Sequence, residues 1–235
     1  MKSGVLFSGG KDSSLALYYA LKESHVTCLI SVISENKESY MFHTPNIHLV
    51  KQQAEAINLP LLLTATKGEK EEELKDLKQA IKQAINQYKI EALYTGAIAS
   101  QYQSSRISNI CKELKIKCIN PLWHKPEIEL LEELLRLNFE VIIIGVFAEG
   151  MENLIAKKLD KSLINELKIL KERHKIHVMG EGGEYESFVL NAPYFKHRLT
   201  IKKSHILDNK DNSKLLIIDE LAMKNLKNIS SIVYI

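Results

Sequence analysis

The six residues Ser8-Gly9-Gly10-Lys11-Asp12-Ser13 follow the apolar run Val5-Leu6-Phe7 and precede the helix-like pattern Leu15-Ala16-Leu17. A strand, a glycine turn and a helix start bring several backbone N–H groups to one point, with the helix dipole behind them. Glycine lets an anion come close to that backbone. Lys11 adds a mobile positive charge, Ser8 and Ser13 add hydroxyl donors, and Asp12 can hold Mg2+ directly or through water. The string therefore describes a phosphate site made mainly of backbone. It is not the mononucleotide loop GxxxxGK(S/T), because Lys11 is followed by Asp12, and no dinucleotide GxGxxG occurs. An isolated Gly-Gly pair would mean only a sharp turn, with Ser8 or Asp12 as helix cap. The full string between a strand and a helix points to phosphate.

Three other stretches carry groups of comparable reactivity. In His43-Thr44-Pro45-Asn46, Pro45 suits the first turn of a helix with Thr44 as N-cap, which a purely structural cap would explain; the functional reading puts His43 at the mouth of the site as a hydrogen-bonding or proton-handling group. GAIASQYQSSR (Gly96–Arg106) follows a strand pattern and so falls on the ligand edge of an open sheet. Arg106 lies one helical turn after Tyr102 and Gln103, so the three can share a face toward a nucleotide or substrate; a surface arginine is the plainer alternative. In GEGGEYES (Gly180–Ser187), glycines alternate with Glu181, Glu184 and Glu186. These carboxylates can bind Mg2+, orient ammonium or take its proton, against the plainer reading of an acidic loop. Residue types do not choose among the three glutamates.

The elements that must position these groups alternate. Strand patterns near Gly4–Phe7, Thr27–Ser34, Leu61–Thr64, Ala92–Thr95 and Lys117–Ile119 are separated by helical patterns at Ser13–Glu23, Asn46–Ile57, Glu69–Tyr88 and Tyr102–Leu114. That order predicts an α/β fold with an open, mostly parallel sheet covered by helices on both faces. In the charged stretch Glu69–Lys89, Leu74, Leu77, Ile81, Ile85 and Tyr88 recur at three- and four-residue spacing, which makes it an amphipathic helix with a solvated face. After NPLWHKP (Asn120–Pro126) the pattern changes to a helix at Glu127–Leu137, a strand at Glu140–Phe147 and a helix at Ser162–His174. Strand-like runs then flank the polar cluster DNKDN (Asp208–Asn212), which predicts a hairpin. The expected organisation is a nucleotide-binding domain over 1–124 and a smaller α+β, substrate-side domain over 125–235.

Composition narrows the class. The chain has 235 residues, 45% of them hydrophobic, which suffices for a sizeable core; its net charge of +3 is far below that of a dedicated nucleic-acid binder. Cys28, Cys111 and Cys118 form an odd set without CxxC spacing, as expected of reduced thiols in a cytoplasm. No stretch approaches a membrane span, and no signal-peptide core is present at the start of the sequence given.

SGGKDS at the end of a first strand resembles the pyrophosphate loop of the N-type ATP pyrophosphatases, which have the fold of the adenine-nucleotide alpha hydrolases. Together with MFHTPN (Met41–Asn46), GAIASQYQSSR, GEGGEYESFVL (Gly180–Leu190) and the junction NPLW, it resembles the diphthine–ammonia ligase family over nearly the whole chain. The resemblance implies ATP-dependent amidation, with ammonium, of the diphthine carboxylate on a modified histidine of elongation factor 2. ATP and Mg2+ would be held by Ser8–Ser13, His43, Gly96, Tyr102, Gln103 and Arg106, with Asp12 on the metal and catalysis shared by Lys11, Asp12, Glu181, Glu184 and Glu186. It further implies a cytoplasmic enzyme with no membrane or nucleic-acid partner, its oligomeric state open, a homodimer included. One departure is local: ENLIAKKLD (Glu152–Asp160) replaces a Trp-Leu-Gly-like turn common in the family. Two rival readings are a tRNA-modifying ATP pyrophosphatase, which would need an RNA surface and paired cysteines, and a non-catalytic ATP-binding regulator.

Overall fold

The computed structural model describes residues 1–34, 46–69, 72–209 and 211–225. Nine strands and six α-helices among these residues form two lobes. The first contains β1 (Lys2–Leu6), α1 (Lys11–Glu23), β2 (His25–Ser34), α2 (Val50–Ile57), β3 (Leu61–Thr66), α3 (Glu72–Tyr88), β4 (Ala92–Tyr94), α4 (Gln101–Glu113) and β5 (Lys117–Ile119). The second contains α5 (Glu127–Arg136), β6 (Glu140–Val146), α6 (Lys161–His174), β7 (Tyr185–Asn191), β8 (His197–Asp208) and β9 (Lys214–Asn225).

β1 to β5 make one parallel sheet in the order β3-β2-β1-β4-β5. The chain leaves the central strand β1 toward β2 and returns on its other side at β4. The loops after β1 and β4 therefore diverge and open a crevice at the carboxyl edge of the sheet, where α/β sheets bind ligands. These loops are the ones that carry Ser8–Ser13 and Gly96–Ser100. The sheet is held by apolar strands buried on both faces: Val5, Leu29, Ala92 and Tyr94 pack to one side, and Cys28, Ile30 and Leu93 to the other with Leu77, Ile81 and Ala84 of α3.

The second lobe is an antiparallel sheet in the order β7-β6-β9-β8. The predicted hairpin forms between β8 and β9, each longer than the sequence pattern indicates because pairing extends from Asp208–Lys214 to His197–Asn225. One continuous core joins this sheet, α5 and α6 to α1 and α2. Polar ties cross the same boundary: Tyr194 Oη donates to Ser14 O at 2.8 Å, and Lys196 N to Ala56 O at 2.7 Å. Asn46 grips β9 twice, donating Nδ2 to Leu216 O at 2.8 Å and accepting from Ile218 N at 2.9 Å.

Two predicted elements differ. The helix expected from Asn46 begins as a short 3-10 turn at Ile47–Leu49 and becomes α-helical only at Val50, because Asn46 sits at φ 61° with its side chain committed to β9. The departing stretch Glu152–Asp160 forms a 3-10 turn at Glu152–Leu154 with Leu154 buried, then bridges Ile142 through Lys158. Among the described residues no helix is long and apolar enough to cross a membrane.

Candidate active site

The phosphate-loop candidate leaves β1 and turns at Gly9, whose φ of +81° lies in the left-handed region that favours glycine. A Cβ there would also strike the Gln53 side-chain amide. Gln53, fully buried on α2, donates Nε2 to Gly9 O at 2.9 Å and to Val189 O at 2.8 Å. Val189 N donates to Gly9 O at 3.0 Å, and Lys11 N to Ser187 Oγ at 3.1 Å. Inside the turn, Ser13 Oγ donates to Gly10 O at 3.1 Å and accepts from Ser8 N at 3.2 Å. Strand β7 and Gln53 thus hold the loop from outside. The first turn of α1 supplies N–H groups without intrahelical acceptors.

Lys11 is not the mobile charge the sequence suggests. Its side chain is 4% exposed; Nζ donates to Asp12 Oδ2 at 3.0 Å and to Met179 O at 2.6 Å, and lies 4.6 Å from the centre of the Tyr185 ring. Burial works against the charge, but Asp12, with help from Tyr185 and Glu186, outweighs it and holds the ammonium above its ordinary range. Burial raises the Asp12 carboxyl, opposed by Lys11, with Glu181 adding to the rise and His177 opposing it. Burial likewise pushes the Tyr185 phenol up to about 12. Lys11 is therefore a fixed cation that ties the loop to the 177–186 segment of the second lobe.

The three glutamates have different surroundings. Glu181 Oε2 accepts from Ala99 N at 3.0 Å and Ser100 N at 3.1 Å, so it sits on the N-terminal end of α4 and joins the lobes. Glu184 folds back on its own loop, accepting from His177 N at 2.7 Å and Gly182 N at 2.9 Å. Glu186 is half-buried, and among the described residues no donor reaches its carboxylate; burial first, then Asp12, raise it to about 7 against the pull of Lys11. Strand alternation turns it to the face of β7 opposite Tyr185 and Ser187, which address Lys11.

Of the other expected residues, Gly96 lies against the loop itself: a Cβ there would come within 2.8 Å of the Asp12 carbonyl carbon and Ser13 N. Its role is close packing of the β4 loop on the start of α1. Ser100 caps α4, its Oγ accepting from Gln103 N at 3.4 Å. Tyr102 and Arg106 do share a helix face, with the guanidinium 3.5 Å from the ring centre. His43 lies outside the described residues. Residues that sequence reasoning missed are Gln53, Ser187, Val189 and His177. His177 lies near enough to Asp12 to help lower its carboxyl, while its Nε2 stands 3.5 Å from Glu127 Oε1 and its Nδ1 accepts from Met179 N at 3.3 Å. A glutamine among Val50, Ala54 and Ile57 on the buried face of α2 was the one available signal for Gln53. The thiols of Cys111 and Cys118 interact, which raises that of Cys111 and lowers that of Cys118.

The geometry accepts a nucleotide with its metal. Asp12 Oδ1 is buried and has no hydrogen-bond partner among the described residues, and Asp12 stands in the first turn of α1. No cluster of three or more His, Cys, Asp or Glu side chains that could hold a metal alone occurs among the described residues. Magnesium at nucleotide sites needs only one or two carboxylates, the phosphates and water completing its shell. Asp12 fits that pattern.

A Ser-Gly-Gly-Lys-Asp-Ser turn between β1 and α1 of a parallel 3-2-1-4-5 sheet defines the class by its architecture: an open α/β sheet with a glycine-turn loop at its carboxyl edge. Comparison with known proteins gives the particular family. The diphthamide synthase N-terminal domain matches residues 1–118 and the C-terminal domain residues 125–222, so the chain belongs to the diphthamide synthase family. Diphthine–ammonia ligase of Mus musculus is 34% identical over 226 residues, covering 87% of this chain and 84% of its own. That of Homo sapiens is 31% identical over 228 residues, covering 88% and 85%. A solved structure described as a predicted subunit of tRNA methyltransferase, from Methanocaldococcus jannaschii, overlays loosely, with a TM-score of 0.42 and 19% identity over 82% of this chain and 98% of that one. The chain is an enzyme of the ATP-dependent ligase type.

Proposed function

We propose that this enzyme activates the diphthine carboxylate of elongation factor 2 as an acyl-adenylate and amidates it with free ammonium in the cytoplasm, releasing AMP and pyrophosphate. The observation that carries the reading is the Ser8–Ser13 loop, held open from behind by Gln53 and β7, with the unpaired Asp12 Oδ1 at its rim. Loop N–H groups and the fixed Lys11 charge bind the β and γ phosphates and leave the α phosphorus accessible to the substrate carboxylate. Asp12 would hold Mg2+, which would neutralise phosphate charge. Gly96 keeps the β4 loop on the start of α1, and Glu181 holds α4 so that Tyr102, Gln103 and Arg106 line the crevice. No protein nucleophile is required, because positioning and charge stabilisation supply the catalysis. The relatives named diphthine–ammonia ligase support free ammonium as the nitrogen source.

The test is AMP release from Mg-ATP with diphthine-bearing elongation factor 2 and ammonium each present or withheld. AMP that requires both, with one amide per AMP, supports the reading. AMP independent of the factor retains the ATP chemistry and rejects the substrate; no AMP under any condition rejects the enzyme.

A further inference from the structure

β3 ends the first sheet on one side and, among the described residues, pairs only with β2. Leu29 N donates to Pro60 O at 2.8 Å, and the register runs unbroken from Leu29 opposite Leu61 to Ser34 opposite Thr66. In a parallel ladder every second residue turns its N–H and C=O to the neighbour, so Leu62, Thr64 and Thr66 address β2. Leu61, Leu63 and Ala65 present theirs to the open side. The other sheet edges are guarded. β5 has three residues, β7 donates Val189 N to Gly9 O, and β8 carries Lys202, Lys203 and two register shifts. β3 runs Leu-Leu-Leu-Thr-Ala-Thr for six residues with no charge, no proline and no bulge. An edge of that kind is a template for another strand.

Beside it lies a groove of about 500 Å3, with Leu61 and Leu63 of β3 on one wall and Lys51, Ala54 and Glu55 of α2 on the other. Lys51 and Glu55 are exposed one helical turn apart, and no ion pair among the described residues includes either. We infer that this edge and groove bind a second copy of the chain about a two-fold axis at Leu63. Leu63 then opposes Leu63 of the second copy and Leu61 opposes Ala65, so the residues with open backbone groups become the hydrogen-bonded pairs of an antiparallel ladder. Their side chains fall on the groove side and merge the two grooves into one apolar seam. α2 leads into β3 through the short turn at 58–60 and runs back along it. Counted from that turn, Gln53 and Leu63 both lie roughly 7 Å along their elements. The axis therefore passes midway between Lys51 and Glu55, and each Lys51 comes level with Glu55 of the other copy. This charge complementarity selects a second copy as the occupant.

The test is sedimentation velocity of the full chain from about 1 to 200 μM, a range that brackets a micromolar dimer. A species of twice 26.8 kDa is expected to build up with concentration. Amide exchange at Leu61, Leu63 and Ala65 should slow at least about tenfold over the same range, while Leu62 and Thr64, already bonded to β2, stay unchanged. Lys51→Glu and Glu55→Lys should each weaken the dimer at least about tenfold, because each turns two opposite-charge contacts into like-charge ones. An equimolar mixture of the two variants should recover the parent's affinity as a mixed dimer, which a misfolded variant could not do. A chain that stays monomeric throughout overturns the second copy and leaves the edge to a strand of another protein. A dimer whose three amides exchange as in the monomer, or whose affinity neither variant changes, overturns the placement.

Discussion

Substituting Lys11 with methionine keeps the volume but removes the cation from a pair whose partners are 4% and 26% exposed. At 3.0 Å the gross attraction, taken at an effective dielectric constant near 20, is about 5 kcal/mol, and burial of the ammonium gives part of that back. Removing one partner leaves Asp12 Oδ2 as well as Oδ1 without a donor and deprives Met179 O of its 2.6 Å hydrogen bond. The expected cost is about 3–5 kcal/mol, the range for an uncompensated buried charge. Removing both charges, Lys11→Met with Asp12→Asn, should cost less than the two single changes added together, by at least about 2 kcal/mol. Urea unfolding of the four proteins, followed by circular dichroism at neutral pH, gives the cycle. A single-variant loss below about 1 kcal/mol, or additivity within about 0.5 kcal/mol, would refute the view of Lys11 as a buried clamp. Loss of AMP formation in Lys11→Met then has to be read at a temperature where the variant is folded.

Gln53→Leu removes the side-chain bonds to Gly9 O and Val189 O, leaving Gly9 O only its bond from Val189 N, and should destabilise the fold by about 2–3 kcal/mol, with weaker ATP binding; normal calorimetric ATP affinity would separate Gln53 from the loop. Glu184→Ala strips the acceptor from His177 N and Gly182 N, so amide hydrogen exchange should quicken across residues 177–184 by about tenfold or more; unchanged protection would contradict a loop-holding role. Glu186, raised to about 7, binds its proton more tightly in the folded state. Its contribution is present in full below the unfolded carboxyl range and is lost as pH rises through about 7. Glu186→Gln should therefore flatten stability between about pH 4.5 and 7, by about 1–2 kcal/mol after allowance for partial exposure. A parallel pH profile for the two proteins would count against it.

Much of the first lobe could be read directly because local chemistry decides it. Apolar runs such as Val5–Phe7 and Cys28–Val32 between helical patterns read as buried strands, the spacing of Leu74, Leu77, Ile81 and Ile85 marks one helix face, and the glycine pair after β1 allows a strand-to-helix turn, which the structure makes at Gly9 with φ +81°. The pyrophosphate-loop string and the motifs around Gly96 and Gly180 likewise carried the family. The sequence could not show which partner each polar group would meet, because that depends on residues far apart in the chain. Lys11 looks like a free cation until Met179, 168 positions away, and Tyr185 close over it. Glu181, Glu184 and Glu186 are equivalent as letters and differ as groups: one holds the turn that leads into α4, one closes its own loop, and alternation along β7 turns the third to the opposite face, across from Gly145. Periodicity and turn chemistry act over a few residues and were legible; the pairing of buried charges is set by where the second sheet docks, and only the tertiary structure decides that.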